Sequence, residues 1–438
     1  MKESPYWNPR HETMPRDQID ALQIRKLKNL VAWTEARVPW QATRLKAAGL
    51  TPESIKSLND LRRIPMMTRD EWMQAQLEDP PFGPLLAAPQ ESAIRYHLTS
   101  GTTGRIPLQV LDSMKDWEWI AEMWCYGFWG FGVRPPDIVF FAFSYGTFVG
   151  FWGAHYASEK IGCLVLPGGN MTTDARVKQI LNMKATVVCS TPTYALRMAQ
   201  EAKTMGVDLA GSAVKRLIEE EWGAKAADTA GMTEVGTIMI FECEKQPGGT
   251  HIIEDHYIEE VVDPETGDPV GYGELGERLI TSFGRGFIPV LRYRTRDLVV
   301  RVPANTCTCG RTFDLYEGGI RGRVDDMKLV RGTNVYPRAV ESIVREYKEI
   351  DEFRIRLYTA DGRQDEIEVL VEIPGREGDE AERILAQLAK SLAEAHEGLR
   401  FGVKKAENGS LPRFELKAKR LQDDRIVIGT AGERRVTA

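Results

Sequence analysis

Between Tyr96 and Pro107 the chain reads Tyr-His-Leu-Thr-Ser-Gly-Thr-Thr-Gly-Arg-Ile-Pro, which brings hydroxyls, glycines and a basic residue into one short turn after an apolar approach. Glycine lets a backbone come close to an anion and present its N–H groups. Ser100, Thr102 and Thr103 add hydroxyl donors, and Arg105 adds positive charge. This is the chemistry of a phosphate cradle. A Walker loop needs G-x-x-x-x-G-K-[ST], and the segment from Gly101 to Arg105 does not supply it, so the turn is a nucleotide loop of another kind. An isolated cluster of this composition is as often a solvated turn, and its neighbours in the sequence decide the weighing.

A second constellation is Cys307-Thr308-Cys309-Gly310 with Cys243 and His251 upstream. Three cysteines and a histidine are the composition of a closed, structural Zn2+ site rather than a catalytic one. His256 is an alternative ligand, and ordinary reduced thiols are the competing reading, since free cysteine is commonly a small buried hydrophobe. A third is the aromatic run from Phe140 to Phe148, with Trp152, His155 and Tyr156 after it. Apolar walls with a few polar groups suit a pocket for a small aromatic acid, although any single ring is more often plain core.

Further signatures stand downstream: Gly231-Met232-Thr233-Glu234, Tyr293-Arg294-Thr295-Arg296-Asp297, Gly322-Arg323-Val324-Asp325-Asp326, and Leu411-Pro412-Arg413 leading into Lys417. In order and approximate spacing they resemble the adenylate-forming superfamily of acyl-CoA synthetases, and within it the phenylacetate-CoA ligase family. The resemblance runs from Met14-Pro15-Arg16 to near Arg420. It implies an α/β fold: a large, multi-subdomain N-terminal adenylation domain over 1–324, with a helical cap over about 1–90 and a zinc subsite within 243–309, then a smaller, mobile α+β lid domain over 325–438.

The activity it implies has two halves. A carboxylate attacks the α-phosphate of ATP to give an acyl-adenylate and pyrophosphate, and the thiol of coenzyme A then displaces AMP. The resemblance implies that Thr99, Ser100, Gly101, Thr102, Thr103 and Gly104 hold phosphates, and that Gly231 and Met232 help bind the nucleotide. Thr233 and Glu234 are catalytic, Glu234 by positioning Mg2+. Asp297 accepts from the ribose hydroxyls, and Arg323 contacts the same nucleotide. Lys417 stabilises the transferring phosphoryl group, with Lys419 the competing assignment. Asp325 is the hinge of the lid domain, Gly332 lies beside the pantetheine channel, and Phe143, Tyr145, Gly146 and His155 line the acyl pocket. An aryl or arylacetic acid fits this pocket better than a fatty acid. Two rival readings are an adenylating enzyme that passes its acyl group to an amine or carrier protein, and a degenerate zinc-stabilised nucleotide binder without catalysis. Two departures from the family pattern stand out. Ala230 takes the place of the aromatic residue that usually precedes Gly-Met-Thr-Glu, and Ile218 runs into Glu219 where a Gly-Glu-Pro-like adenine loop is usual.

These residues need a scaffold, and the composition is that of a large globular enzyme. The 438 residues exceed the size at which one core keeps growing, so at least two domains are expected. The 57 basic and 63 acidic residues leave a net charge of −6, which argues against a general nucleic-acid binder. No apolar run is long enough to span a bilayer, and the first residues lack a signal-peptide pattern, so a cytoplasmic enzyme is expected; a homodimer is compatible with it. Six cysteines are too sparse for a disulfide scaffold. Short apolar runs at Ile138–Phe143, Cys163–Leu166 and Thr186–Ser190 alternate with helical stretches at Met114–Trp129 and Tyr194–Met205, which predicts α/β units with buried strands. From Glu254 the texture becomes antiparallel around the turn Asp263–Gly267. The last segment predicts strands at Phe353–Tyr358 and Glu366–Ile373 and an amphipathic helix over about Asp379–Ala395.

Overall fold

The computed structural model describes the chain apart from residues 1–3, 100–106, 215–221, 247, 325, 327, 332, 361–363, 397, 414–419, 429–433 and 437–438. It divides into two compact units, Met1–Ile320 and Arg321–Ala438, so Arg323 belongs to the second.

The first unit opens with helices. Arg16–Arg37 buries Ile19, Leu22, Leu27, Leu30 and Val31, the three-and-four spacing of one helical face. Pro39 begins the next helix, Pro39–Ala47, where its missing N–H costs nothing. Thr68 starts Arg69–Glu78 with a reciprocal cap: its hydroxyl accepts from Glu71 N (3.2 Å), and the Glu71 carboxylate accepts from Thr68 N (2.7 Å). Leu27, Leu30, Val31 and Leu45 pack against Ile258 and Leu291 of the main sheet.

The predicted α/β units form a parallel sheet. Its strands lie in the order Leu164–Pro167, Ile138–Phe141, Val187–Cys189. Val139, Phe140 and Phe141 are fully buried, as expected for a strand covered on both faces. The first strand in sequence lies in the centre with its two successors on either side, an arrangement that opens a crevice outside the carboxyl ends. The strands stop at Phe141 and Cys189, short of the predicted Phe143 and Ser190. After Phe141 the main chain leaves the ladder: Ala142 N bonds Cys189 O (3.0 Å) and Gly168 N bonds Phe141 O (2.9 Å).

The larger sheet of this unit runs Thr229–Met232, Thr237–Glu242, Gly249–Ile252, Leu315–Glu317, Val290–Val302, Leu275–Ser282, Tyr257–Val262, with antiparallel neighbours throughout. Helix Met114–Gly130 packs on it, with Met123 and Tyr126 in one core with Ile238, Ile240 and Phe241.

The second unit is α+β. Its sheet runs Gly402–Lys405, Gln364–Glu372, Glu352–Ala360, Leu421–Asp424, with an antiparallel central pair and parallel outer strands. Phe353, Ile355 and Leu357 alternate at the strand period, and Ile384, Leu388 and Leu392 recur at the helical one along Gly378–Ala395; all share one core. No helix among the described residues is long and apolar enough to cross a membrane.

Candidate functional site

Strands Arg95–Leu98 and Gln109–Asp112 pair antiparallel, and in sequence they flank the predicted phosphate cradle. Thr99 closes its base: Thr99 N donates to Leu108 O (3.0 Å) and Leu108 N donates to Thr99 Oγ1 (2.8 Å). Ser100, Gly101, Thr102, Thr103 and Gly104 lie outside the described residues.

Gly231-Met232-Thr233-Glu234 forms the end of one strand and the tip of a hairpin that turns back into Thr237–Glu242. The turn is tight because Gly236 N bonds both Met232 O (2.9 Å) and Thr233 O (3.1 Å) at φ +84°, a left-handed backbone that favours glycine. At Gly231 a Cβ would stand 2.8 Å from Thr237 O, so only glycine fits the close approach. Thr233 and Glu234 are buried, Glu234 only 7% exposed. Tyr293 donates its hydroxyl to Glu234 Oε1 (3.1 Å) and is the one donor to that carboxylate among the described residues.

What holds the tip is a residue that sequence reasoning missed. Arg285 donates through Nη1 to Thr233 O (2.7 Å) and Glu234 O (3.0 Å), and through Nε and Nη2 to both oxygens of Asp112 (2.8 and 2.9 Å). The Glu234 turn and strand Gln109–Asp112 therefore share one buried fork. Arg285 stands between Gly284 and Gly286, and nothing local points to a partner so distant in sequence.

Asp297 lies on Val290–Val302, nearly buried, with Arg278 Nη1 3.8 Å from Oδ2; Arg278 itself is clamped by Glu259 (2.6 and 2.7 Å). Arg323 sits 4.0 Å from Asp326. Asp325, Gly332, Lys417 and Lys419 lie outside the described residues, as does the Ile218–Glu219 junction. On either side of residues 414–419, Arg413 binds Glu372 (2.8 Å) and Arg420 binds Glu352 (2.7 Å), and those two glutamates face each other across paired strands.

The aromatic run follows the central parallel strand. Phe143 stacks on Phe151 with centroids 3.5 Å apart, and Tyr145 lies 4.6 Å from the Trp152 ring. The Tyr145 hydroxyl bonds His155 Nδ1 (2.8 Å), and His155 Nε2 approaches Glu159 (3.2 Å). Burial raises the Tyr145 phenol above its usual range, so it stays protonated. Gly146 turns the chain at φ +52°, and its carbonyl accepts from Trp152 Nε1 (2.9 Å).

Cys243, His251, Cys307 and Cys309 come together, with their ligand atoms all within 4.8 Å of one another. Cys243 directly follows strand Thr237–Glu242, whose other end carries the Glu234 turn, and His251 lies on the adjoining strand. His251 Nδ1 bonds Phe313 O (3.1 Å), which leaves Nε2 facing Cys309 Sγ (3.3 Å), the orientation metal-binding histidines take. Cys309 N and Arg311 N each donate to a sulfur, Cys307 and Cys309 respectively (both 3.4 Å). A hydrogen bond from Cys243 pulls the Cys309 thiol down to about 2 against its burial, while the bond to Cys309 and then burial push Cys243 up. Burial opposes a charge on His251, yet bonds with Cys307 and then Cys309 hold its pKa up to about 9. Three thiols and an imidazole gathered this closely have the donor chemistry that fits Zn2+. His256 lies elsewhere, accepting from Trp119 Nε1 (2.8 Å).

The AMP-binding enzyme C-terminal domain family matches residues 332–425. The phenylacetate-coenzyme A ligase of Thermus thermophilus is 35% identical over 382 residues, 84% of this chain and 84% of its own. That of Escherichia coli is 31% identical over 437 residues, 95% of this chain and 98% of its own. The crystal structure of 2-hydroxyisobutyryl-CoA ligase in the postadenylation state, in complex with 2-HIB-AMP, superposes with a TM-score of 0.89 at 27% identity, over 97% of this chain and 93% of that one. With the α/β architecture and the Glu234 turn in place, these likenesses over nearly the full length make this chain a member of the phenylacetate-coenzyme A ligase family, the ATP-dependent, adenylate-forming coenzyme A ligases.

Proposed function

We propose that this protein activates a small aryl or arylacetic acid with ATP, as an acyl-adenylate, and transfers the acyl group to coenzyme A. The observation that carries the reading is the fork of Arg285, which ties the Thr233–Glu234 turn to strand Gln109–Asp112 in a chain related to ligases named for phenylacetate.

The first half-reaction brings a carboxylate up to a polyphosphate, so positive charge and oriented donors must be in place beforehand. The segment from Thr99 to Gly104 is assigned to the phosphates, for which its glycines and hydroxyl residues are suited by type. Bound Mg2+ would neutralise phosphate oxygens; Glu234, with Tyr293 its one donor among the described residues, has the hard oxygen chemistry to hold it. Thr233 extends the same turn, with its carbonyl already taken by Arg285. Asp297 and Arg323 are assigned to the nucleotide, and Lys417 to the phosphoryl group in flight. For the second half-reaction Asp325 is the hinge and Gly332 gives the pantetheine arm room beside the backbone. Phe143, Tyr145, Gly146 and His155 form the acid pocket. Zn2+ held by Cys243, His251, Cys307 and Cys309 would be structural, since all its ligands are protein side chains.

ATP–pyrophosphate exchange across aryl and arylacetic acids, with thioester detection when coenzyme A is added, tests the reading. Acid-dependent exchange followed by aryl-CoA formation is expected. Exchange without any thioester would move the acyl group to another acceptor. No exchange with any acid would leave a nucleotide binder.

A further inference from the structure

Helix Thr173–Asn182 carries Arg176 in its first turn, 7% exposed. Among the described residues its guanidinium donates only to main-chain carbonyls: Nε to Gly168 O (2.9 Å), Nη1 to Ala142 O (3.0 Å) and Nη2 to Gly169 O (2.7 Å). The Tyr194 ring lies 4.9 Å away. No carboxylate among the described residues pairs with it; Asp174 of the same helix is taken by Thr172 (2.6 Å) and Lys178 (3.1 Å).

This placement is unfavourable on two counts. A cation in the first turn of a helix opposes the macrodipole, and a buried guanidinium without a counter-ion loses hydration that carbonyl dipoles only partly replace. Local rules broken in this way mark positions kept for something other than stability.

The carbonyls it gathers explain what is gained. Ala142 follows the central strand Ile138–Phe141, and Gly168–Gly169 follow its parallel neighbour Leu164–Pro167. Ser144 Oγ also donates to Gly169 O (3.1 Å). The two turns that leave the carboxyl edge of the sheet are thus stapled by one side chain, immediately before Phe143, Tyr145 and Gly146. Because the guanidinium has no carboxylate partner, its field at this rim is also unspent, and such a field draws a carboxylate.

We propose that Arg176 is the positioning residue of the acid-binding rim: it fixes the Ala142 and Gly168–Gly169 turns and keeps the rim positive, and so sets the affinity for the carboxylic acid and not for ATP. The proposal rests on the acyl-pocket reading given above.

The test is steady-state pyrophosphate exchange with benzoate or phenylacetate, whichever the parent enzyme exchanges faster, on Arg176→Gln and Arg176→Lys. Glutamine keeps a short fork without charge; lysine keeps the charge but cannot span three carbonyls. Both variants are expected to raise KM for the acid about tenfold or more, with KM for ATP within about twofold of the parent. A merely structural role would move both constants together, and that result, or unchanged KM for the acid in a folded variant, overturns the proposal. If glutamine prevents folding, lysine carries the test. Tyr145→Leu separates the two readings: unchanged acid KM there removes the pocket, whereas a shift there beside unaltered Arg176 variants removes only the role of Arg176.

Discussion

Arg285 and Asp112 stand 173 residues apart in sequence and meet in a two-pronged ion pair, Nε to Oδ1 at 2.8 Å and Nη2 to Oδ2 at 2.9 Å, with both side chains fully buried. Burial pushes the Asp112 carboxyl above its usual range even against the attraction of Arg285. A pair whose desolvation is so little repaid contributes through geometry more than through net stability. The remaining nitrogen of Arg285 holds Thr233 O and Glu234 O.

Removing one partner should therefore differ from removing both. Arg285→Leu leaves a buried carboxylate alone and is expected to cost about 3–5 kcal/mol in urea unfolding. Adding Asp112→Leu should recover most of that stability. Adenylation should not return with it, because the Glu234 turn still lacks its donors. Recovery of pyrophosphate exchange in the double variant would show that the fork acts only on stability.

For Lys417 the proposed role is charge on a phosphoryl group in flight. Lys417→Ala should slow adenylate formation by about 10²-fold to 10³-fold or more, the usual loss when a preorganised charge is removed from a transition state. Thioester formation from a supplied acyl-adenylate should survive much better. Equal loss in both half-reactions would take Lys417 out of this role, and Lys419→Ala is the control for the competing assignment.

The Cys3His cluster makes a compositional claim. Protein purified without chelators should carry about one zinc per chain, as a closed four-ligand site implies. Cys307→Ser combined with Cys309→Ser should lose the metal and lower the midpoint of thermal unfolding. The loss should also reach the Glu234 turn, since Cys243 directly follows the strand that begins just beyond it. Metal analysis that finds none refutes the assignment.

The family and its α/β fold were legible because the signatures are local: each is a few residues of turn or strand chemistry, and the apolar runs at Ile138, Cys163 and Thr186 begin within one residue of the observed strands. What holds the signatures was not. Nothing in Gly231-Met232-Thr233-Glu234 tells that it caps a hairpin, because the turn depends on Gly236 and on a ladder with Thr237–Glu242. The fork of Arg285 and the staple of Arg176 are side-chain bonds to distant main chain, and an arginine reads the same in sequence whether it is solvated or braced against carbonyls. The grouping of Cys243, His251, Cys307 and Cys309 was readable by residue type alone. Its irregular spacing is resolved only by the pairing of His251 with Phe241 and Leu315, which carries strands from distant segments to one place.

Two buried histidines give the stability a pH dependence of definite sign. Burial lowers the pKa of His97 from 6.5 to about 4, and that of His256 likewise to about 4. His97 bonds Thr147 O through Nδ1 (3.1 Å) and stacks on Trp117; His256 accepts from Trp119. Between pH 6.5 and about 4 the unfolded chain takes up protons at both rings and the folded chain does not. Their contribution is thus fully present above pH 6.5 and is lost as pH falls toward the folded value, at up to about 1.4 kcal/mol per pH unit for each ring. Carboxylates titrate in the lower part of this window, so the informative quantity is the difference between variant and parent. His256→Gln keeps an acceptor for Trp119, and His97→Asn keeps a donor for Thr147 O. Each should flatten the slope of unfolding free energy against pH by about one proton between pH 5 and 6, measured in urea at constant ionic strength. Slopes identical to the parent in both variants would mean that these rings are protonated in the folded enzyme as readily as in the unfolded chain.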